Sequence, residues 1–166
     1  MLKNLIADML EKHQDKMLTP MLADIPAEKM TTQPIAGMNH PAWLLGHLLG
    51  FEQKVITGVM GKTVKEPLDA TWWDIYGIGS TPKPDLRLYK PKTFYIEGLK
   101  ESVGKIAAYI RELSESDLQR PLPDPDLAKH FPNIANLLIV LPTHRAYHTG
   151  QLATWRKAVG LPHVGM

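Results

Sequence analysis

The chain has 166 residues, 44% of them apolar and 22% charged, which fits a single globular domain over residues 1–166 with a full hydrophobic core. A formal net charge of only +2 argues against nucleic acid as a partner, and the lack of a long apolar run or a signal-peptide block predicts a cytoplasmic protein without a membrane span. Because the chain has no cysteine, disulfides and thiolate ligands are excluded, and any metal ion must be held by His, Asp, Glu or water.

The first part of the chain shows helical periodicity. It predicts a first helix over about residues 2–18, whose core-facing stripe consists of Leu2, Leu5, Ile6, Met9, His13 and Met17. Residues 19–38 hold three prolines and are predicted to form an irregular connection that contains at most one short helical turn. A second helix is predicted to begin at Pro41, to be capped by Asn39 or His40, and to end between Gly58 and Gly61. Its predicted core face consists of Leu44, Leu48, Phe51 and Val55.

Residues 61–92 have no periodicity and are rich in glycine, proline and aromatic residues. An irregular connection of this length inside a compact domain is often functional. We expect Trp72, Trp73 and Tyr76 to pack over one end of the helices and to wall a pocket, because Trp and Tyr bury large apolar surfaces. The alternative is that these rings only complete the core.

Two more helices are predicted in the second half of the chain. One runs from Thr93 to Leu113, and the other, after a short turn and a proline-rich segment, runs from Asn133 to Val159. Pro142 lies inside the last helix and is expected to kink it, because proline removes one backbone hydrogen bond. Four amphipathic helices without a predicted strand indicate an all-α fold, for which a four-helix bundle is the natural arrangement.

The last helix carries a pair of histidines, His144 and His148. Residues four apart lie on one helix face, about 40° apart around the axis. The same stripe continues in both directions through Ile134, Leu137, Leu141, Leu152, Trp155 and Val159. The pair therefore points toward the interior, where neutral imidazoles are good ligands for a transition metal. The alternative is a pair of hydrogen-bonded core histidines.

A third ligand is expected from a facing helix, because metal sites in helical bundles are built between helices. His47 is the candidate, since it lies in mid-helix among aliphatic residues, where an unpaired histidine would be costly to bury. The neighbouring Gly46 would permit close approach of another element. Three histidines leave at least one coordination position open, as in catalytic zinc sites.

Several other residues are assigned secondary roles. Gln151 lies on the face of the histidine pair and either orients a ligand imidazole or a water molecule, or only satisfies nearby backbone. His13 is interpreted as a half-buried structural histidine rather than a fourth ligand. The residues predicted to line the pocket are Trp43, Phe51, Trp73 and Trp155. No general base is visible near the motif, so the catalytic group is left as a metal-bound water or thiol.

The sequence resembles a known family, the DinB-like superfamily of damage-inducible and bacillithiol-transferase-like four-helix metalloproteins. The resemblance is carried by Asn39-His40-Pro41, Trp43-Leu44, Gly46-His47-Leu48, His144-x-x-x-His148-x-Gly150-Gln151 and Gly160-Leu161-Pro162. It implies an up-down-down-up bundle with a divalent metal, zinc or nickel, bound by His47, His144 and His148. It also implies a homodimer.

The resemblance further implies a reaction. Some members of this family are transferases that use low-molecular-weight thiols such as bacillithiol or mycothiol, so a thiol S-transferase acting on a small electrophile is the expected function. One alternative is a metal-dependent hydrolase that uses metal-bound hydroxide. Another is a non-catalytic, metal-binding or stress-related bundle protein.

Overall fold

The computed structural model describes residues 2–164. The regular secondary structure in this range is helical, and the range contains no β-strand. The first long helical segment, α1, comprises Leu2–His13, a π-helical turn over Gln14–Leu18, and Thr19–Ala23. The other long helices are α2 (Pro41–Gly58), α3 (Lys92–Glu112) and α4 (Ile134–Ala158). Short helical turns lie between them at Ala27–Lys29, Trp72–Tyr76, Leu86–Leu88, Glu115–Leu118 and Pro125–Ala128. Within residues 2–164 no helix combines the length and apolar character that a membrane span requires.

Helix α2 lies at the centre of the core. It contacts both α3 and α4, and α1 contacts the same two helices from the other side. Most of α2 is buried, and it is apolar around most of its circumference, as expected for a helix surrounded by others. The aliphatic side chains of α2 pack against Trp72, Tyr76, Tyr95, Leu99 and Trp155 at one end and against Val103, Ile106, Ile110, Leu137 and Leu141 at the other.

The predicted core face of α1 is wrong. Leu2, Leu5 and Met9 are exposed, and the buried side chains are Ala7, Leu10, Gln14 and Leu18. Both sides of this helix carry apolar residues, so periodicity alone does not select the buried one. The burial of Gln14 depends on partners elsewhere, because its side chain accepts a hydrogen bond from Arg145 and donates one to Thr19.

The predicted end of α1 at residue 18 is also wrong, since the helix continues to Ala23. The π-turn accounts for this continuation. A π-turn inserts a residue into the helix and changes the register of its hydrogen bonds. Pro20, which has no N–H to donate, follows directly after the register change, where its effect on the helix is smallest.

Helix α4 is continuous through Pro142, in agreement with the single predicted helix. Proline leaves one carbonyl of the preceding turn without its usual donor. The hydroxyl of Thr143 donates to the carbonyls of Ile139 and Val140, at 3.2 and 2.9 Å, which follow the carbonyl of Leu138 that loses its donor. The helix nevertheless continues without interruption to the histidine pair.

The assignment of the buried face of α1 is testable by truncation. Leu10→Ala should lower the free energy of unfolding by about 2–5 kcal/mol, because it opens a cavity in the core. Leu5→Ala, the matched control on the exposed side, should change it by less than about 0.5 kcal/mol. Urea denaturation of both variants measures the difference. Equal losses of stability would contradict the assignment.

Candidate metal centre

His47 is buried on α2 and has a fixed orientation. Its Nδ1 donates a hydrogen bond to the carbonyl oxygen of Tyr76, at 2.7 Å. Because a neutral imidazole carries one proton, this hydrogen bond leaves Nε2 unprotonated and available as a ligand atom. The ring stacks on Trp43, with 5.0 Å between centroids and 6° between planes. Both contacts hold the Nε2 lone pair in one direction.

The short helix Trp72–Tyr76 reaches His47 because of a glycine on α2. The ring of Tyr76 lies directly against Gly46, and a Cβ at position 46 would overlap that ring. The indole of Trp72 donates to the carbonyl of Gly46 at 3.0 Å, and the hydroxyls of Tyr76 and Tyr95 are hydrogen-bonded at 2.6 Å. The long connection between α2 and α3 thus packs onto α2 and places the carbonyl of Tyr76 next to His47.

His148 on α4 is oriented in the same way by a side chain. Its Nδ1 donates to Oε1 of Gln151 at 2.9 Å, so its Nε2 is likewise unprotonated. Oε1 of Gln151 also accepts from the amide of Asn39 at 3.4 Å. His144, one turn earlier, is half-buried, and its ring lies 4.7 Å from that of Phe51. The hydrogen bond between Gln151 and His148 is of the kind expected from a residue that orients an imidazole.

The three histidines converge through their Nε2 atoms. Nε2 of His144 lies 3.2 Å from Nε2 of His47 and 3.2 Å from Nε2 of His148. Two nitrogens bound to a tetrahedral zinc at about 2.0–2.1 Å are about 3.3 Å apart. The two measured pairs are close to this spacing, and the ligand atoms of all three histidines lie within 4.8 Å of one another, so the group could hold a single ion.

The proton inventory leads to the same conclusion. With Nδ1 protonated on His47 and His148, only His144 could place a proton between the three nitrogens. One proton cannot satisfy all of these lone pairs well, whereas one divalent cation can. The donor set thus fits a metal ion better than it fits a hydrogen-bonded histidine cluster.

The electrostatics of the cluster favour neutral imidazoles. Burial lowers the pKa of His144 to about 3, and the neighbouring His148 and His47 add to this effect. Burial lowers the pKa of His148 to about 4 and also lowers that of His47. Unprotonated imidazole is the form that binds a metal. Within residues 2–164, no carboxylate joins this three-histidine group.

The structure separates the four aromatic residues predicted to line a pocket. Trp43 stacks on His47, and Phe51 contacts His144. Trp73 is 41% exposed and its ring edge lies near Gly50, while Trp155 is buried in the core and donates to the carbonyl of Thr32. In the part of the chain that the structure describes, the rings of these last two make no contact with the three histidines.

Two other histidines have structural roles. His40 caps α2 as predicted, because its Nδ1 accepts the backbone N–H of Trp43 at 3.2 Å and its Nε2 donates to the carbonyl of Lys83. His13 lies outside the cluster and is hydrogen-bonded to Thr149 at 3.0 Å. His13 is half-buried, as interpreted from the sequence, but its partner is a hydroxyl and not the expected backbone group or carboxylate.

Sequence reasoning missed a buried ion pair close to the cluster. The guanidinium of Arg145 donates to the carboxylate of Glu52, and both side chains are almost completely buried. Burial raises the pKa of the Glu52 carboxyl, and the charge of Arg145 opposes that shift. The available signal was a glutamate inside the aliphatic part of α2, where an isolated charge would be costly.

An all-helical domain with three converging imidazoles defines a class of candidate metalloprotein. The chain belongs to the DinB superfamily, whose sequence model matches residues 9–152.

Two solved structures have the same fold. A conserved protein from Enterococcus faecalis is 16% identical, with a TM-score of 0.72 over 93% of this chain and 95% of that chain. A protein from Streptococcus pneumoniae is 19% identical, with a TM-score of 0.65 over 95% and 91% of the two chains. Comparison with curated proteins gives no match.

The role of Gly46 in orienting His47 is testable. Gly46→Ala should weaken Zn²⁺ binding about tenfold, because the added methyl displaces Tyr76 and the carbonyl that holds the imidazole. Competition with a chromophoric chelator measures the affinity. Gly104→Ala on α3 is the control, since a Cβ there meets no atom within 4 Å, and it should leave the affinity unchanged. A folded Gly46→Ala variant with wild-type affinity would rule out this role.

Proposed function

We propose that the protein is a metal-dependent thiol S-transferase, with a Zn²⁺ or Ni²⁺ ion held by His47, His144 and His148. The observation that carries the proposal is the convergence of three Nε2 atoms, two of them on rings whose Nδ1 protons are already committed. The same donor set leaves a coordination position for a small ligand, as catalytic zinc sites do.

We also propose that the four long helices form the up-down-down-up bundle implied by the resemblance. Support comes from the pairing of residues along neighbouring helices. Thr149 meets His13 and Arg156 meets Asp24, so α1 and α4 run in the same direction. In contrast, Arg111 meets Glu11 while Lys92 meets Leu22, so α3 runs opposite to α1.

The charge of the donor set favours an anionic ligand. Three neutral imidazoles do not compensate the charge of a divalent ion, and no carboxylate joins them within residues 2–164. A bound ion would lower the pKa of a coordinated thiol and supply its thiolate near neutral pH. The chain's own residues keep the imidazoles neutral and oriented, and Trp43 and Phe51 cover His47 and His144 with apolar surface.

The reaction proposed is a substitution. The sulfur of the small thiol forms a bond to the electrophilic carbon, the leaving group departs with the electron pair of its bond, and the thiol proton is released to solvent. This assignment requires no side chain to act as a general base, which agrees with the absence of a carboxylate from the histidine group in residues 2–164.

The experiment is a panel of low-molecular-weight thiols, including bacillithiol and mycothiol, with a chloro-aromatic electrophile and metal-loaded protein. We expect thioether formation well above the uncatalysed rate. His148→Ala should lose bound metal and fall to the background rate, while His130→Ala, a control on an exposed histidine, should retain both.

The other outcomes separate the alternatives. Cleavage of an ester substrate without any thiol would indicate a hydrolase. Stoichiometric metal without turnover of either substrate would indicate a metal-binding protein. Full retention of metal by His148→Ala would contradict the ligand assignment itself.

A further inference from the structure

Arg145 lies on α4 next to His144 and points toward other helices. Its guanidinium donates to Glu52 on α2 and to Gln14 on α1, and its Nε lies 3.5 Å from Nδ1 of His13. The side chains of Arg145 and Glu52 are only 1% and 2% exposed. A single charged side chain of α4 is therefore held by two neighbouring helices in the interior.

A buried ion pair of this kind is not expected to add much to the free energy of unfolding. Removing two charges from water costs several kcal/mol per ion, and replacing a buried ion pair by apolar residues is often neutral or stabilising. The pair is also incompletely satisfied, because Oε2 of Glu52 has no hydrogen-bond partner among residues 2–164. Its presence calls for a role other than stabilising the core.

Its position connects the two helices that carry the histidines. Glu52 lies about 7.5 Å along α2 from His47, and Arg145 directly follows His144. Apart from the contacts among the histidines, it is the one side-chain hydrogen bond between α2 and α4 in the described residues 2–164. A metal site needs its ligands within about 0.5 Å and 10–20° of the working geometry. A short, directional link beside the cluster can set both the separation and the rotation of α4.

We propose that Glu52 and Arg145 are positioning residues of the metal centre: their buried ion pair fixes α4 against α2 so that the Nε2 atoms of His144 and His148 meet that of His47. This inference rests on the proposed metal site. It assigns a role to a charged pair that neither binds the metal nor touches the reacting thiol.

The test is metal affinity together with the absorption spectrum of the Co²⁺-substituted protein. Glu52→Gln keeps the size of the side chain and removes its charge. It should weaken Zn²⁺ binding about tenfold, the low end for residues that orient metal ligands, and should change the Co²⁺ d–d bands. Asp24→Asn is the control, because Asp24, directly after the end of α1, pairs with Arg156 on α4, about 12 Å along the helix beyond His148. It should leave affinity and spectrum unchanged.

A second variant separates positioning from stability. Glu52→Leu combined with Arg145→Met and Gln14→Leu replaces the charges, and the buried amide that Arg145 satisfies, with apolar side chains and should keep or raise the free energy of unfolding. The proposal predicts that this more apolar core still binds Zn²⁺ more weakly than wild type. A folded variant of either kind with wild-type affinity and Co²⁺ spectrum would overturn it, as would failure of both variants to fold.

The wild-type titration distinguishes this proposal from the function on which it rests. If the wild-type protein binds no metal, the proposed function fails and the positioning role fails with it. If the wild type binds metal and the variants bind equally well, only the positioning role is rejected.

Discussion

The hydrogen bond from His47 to the carbonyl of Tyr76 joins the long connection between α2 and α3 to the centre of the protein. It fixes the tautomer of the ring, and thereby decides which nitrogen faces α4. The bond exists only because Gly46 allows the Tyr76 ring to lie on the helix surface. A residue without a side chain thus determines the direction of a neighbouring lone pair.

The polar groups of the interior are arranged around this point at a cost that the apolar core must offset. Buried imidazoles, a buried ion pair and a buried glutamine each need a partner, and each partner restricts how far two helices can move. Gln151, on the same helix as His148, holds the ring of His148 by a hydrogen bond. Asn39, in the connection between α1 and α2, in turn donates to Gln151. The result is a cluster in which the imidazoles of His47 and His148 have fixed directions, as a preorganised site for a metal ion would require.

The sequence was sufficient to predict those features whose signal lies within a few neighbouring residues. The predicted bounds of the second, third and last helices agree with α2, α3 and α4 within one or two residues, because caps, prolines and glycines mark these ends. The three histidines could be predicted to cluster for a similar reason. Four-residue spacing places His144 and His148 on one face, and a histidine inside an aliphatic helix is costly without a partner.

The features that the sequence did not predict depend on residues far apart in the chain. The buried face of α1 contains Gln14, whose partner Arg145 is 131 positions away in the chain. The π-turn that carries the helix past Pro20 has no recognised sequence pattern. A backbone carbonyl such as that of Tyr76 leaves no trace in the sequence, and neither does the difference in burial between Trp72 and Trp73, which both pack near Gly50.

X-ray absorption spectroscopy of the zinc-loaded protein tests the central claim most directly. We expect an inner shell of three imidazole nitrogens at about 2.0–2.1 Å with one further light ligand, and the loss of one imidazole from that shell in His144→Ala. An inner shell of carboxylate and water oxygens without the multiple-scattering signature of imidazole would contradict it, as would an unchanged spectrum in the variant.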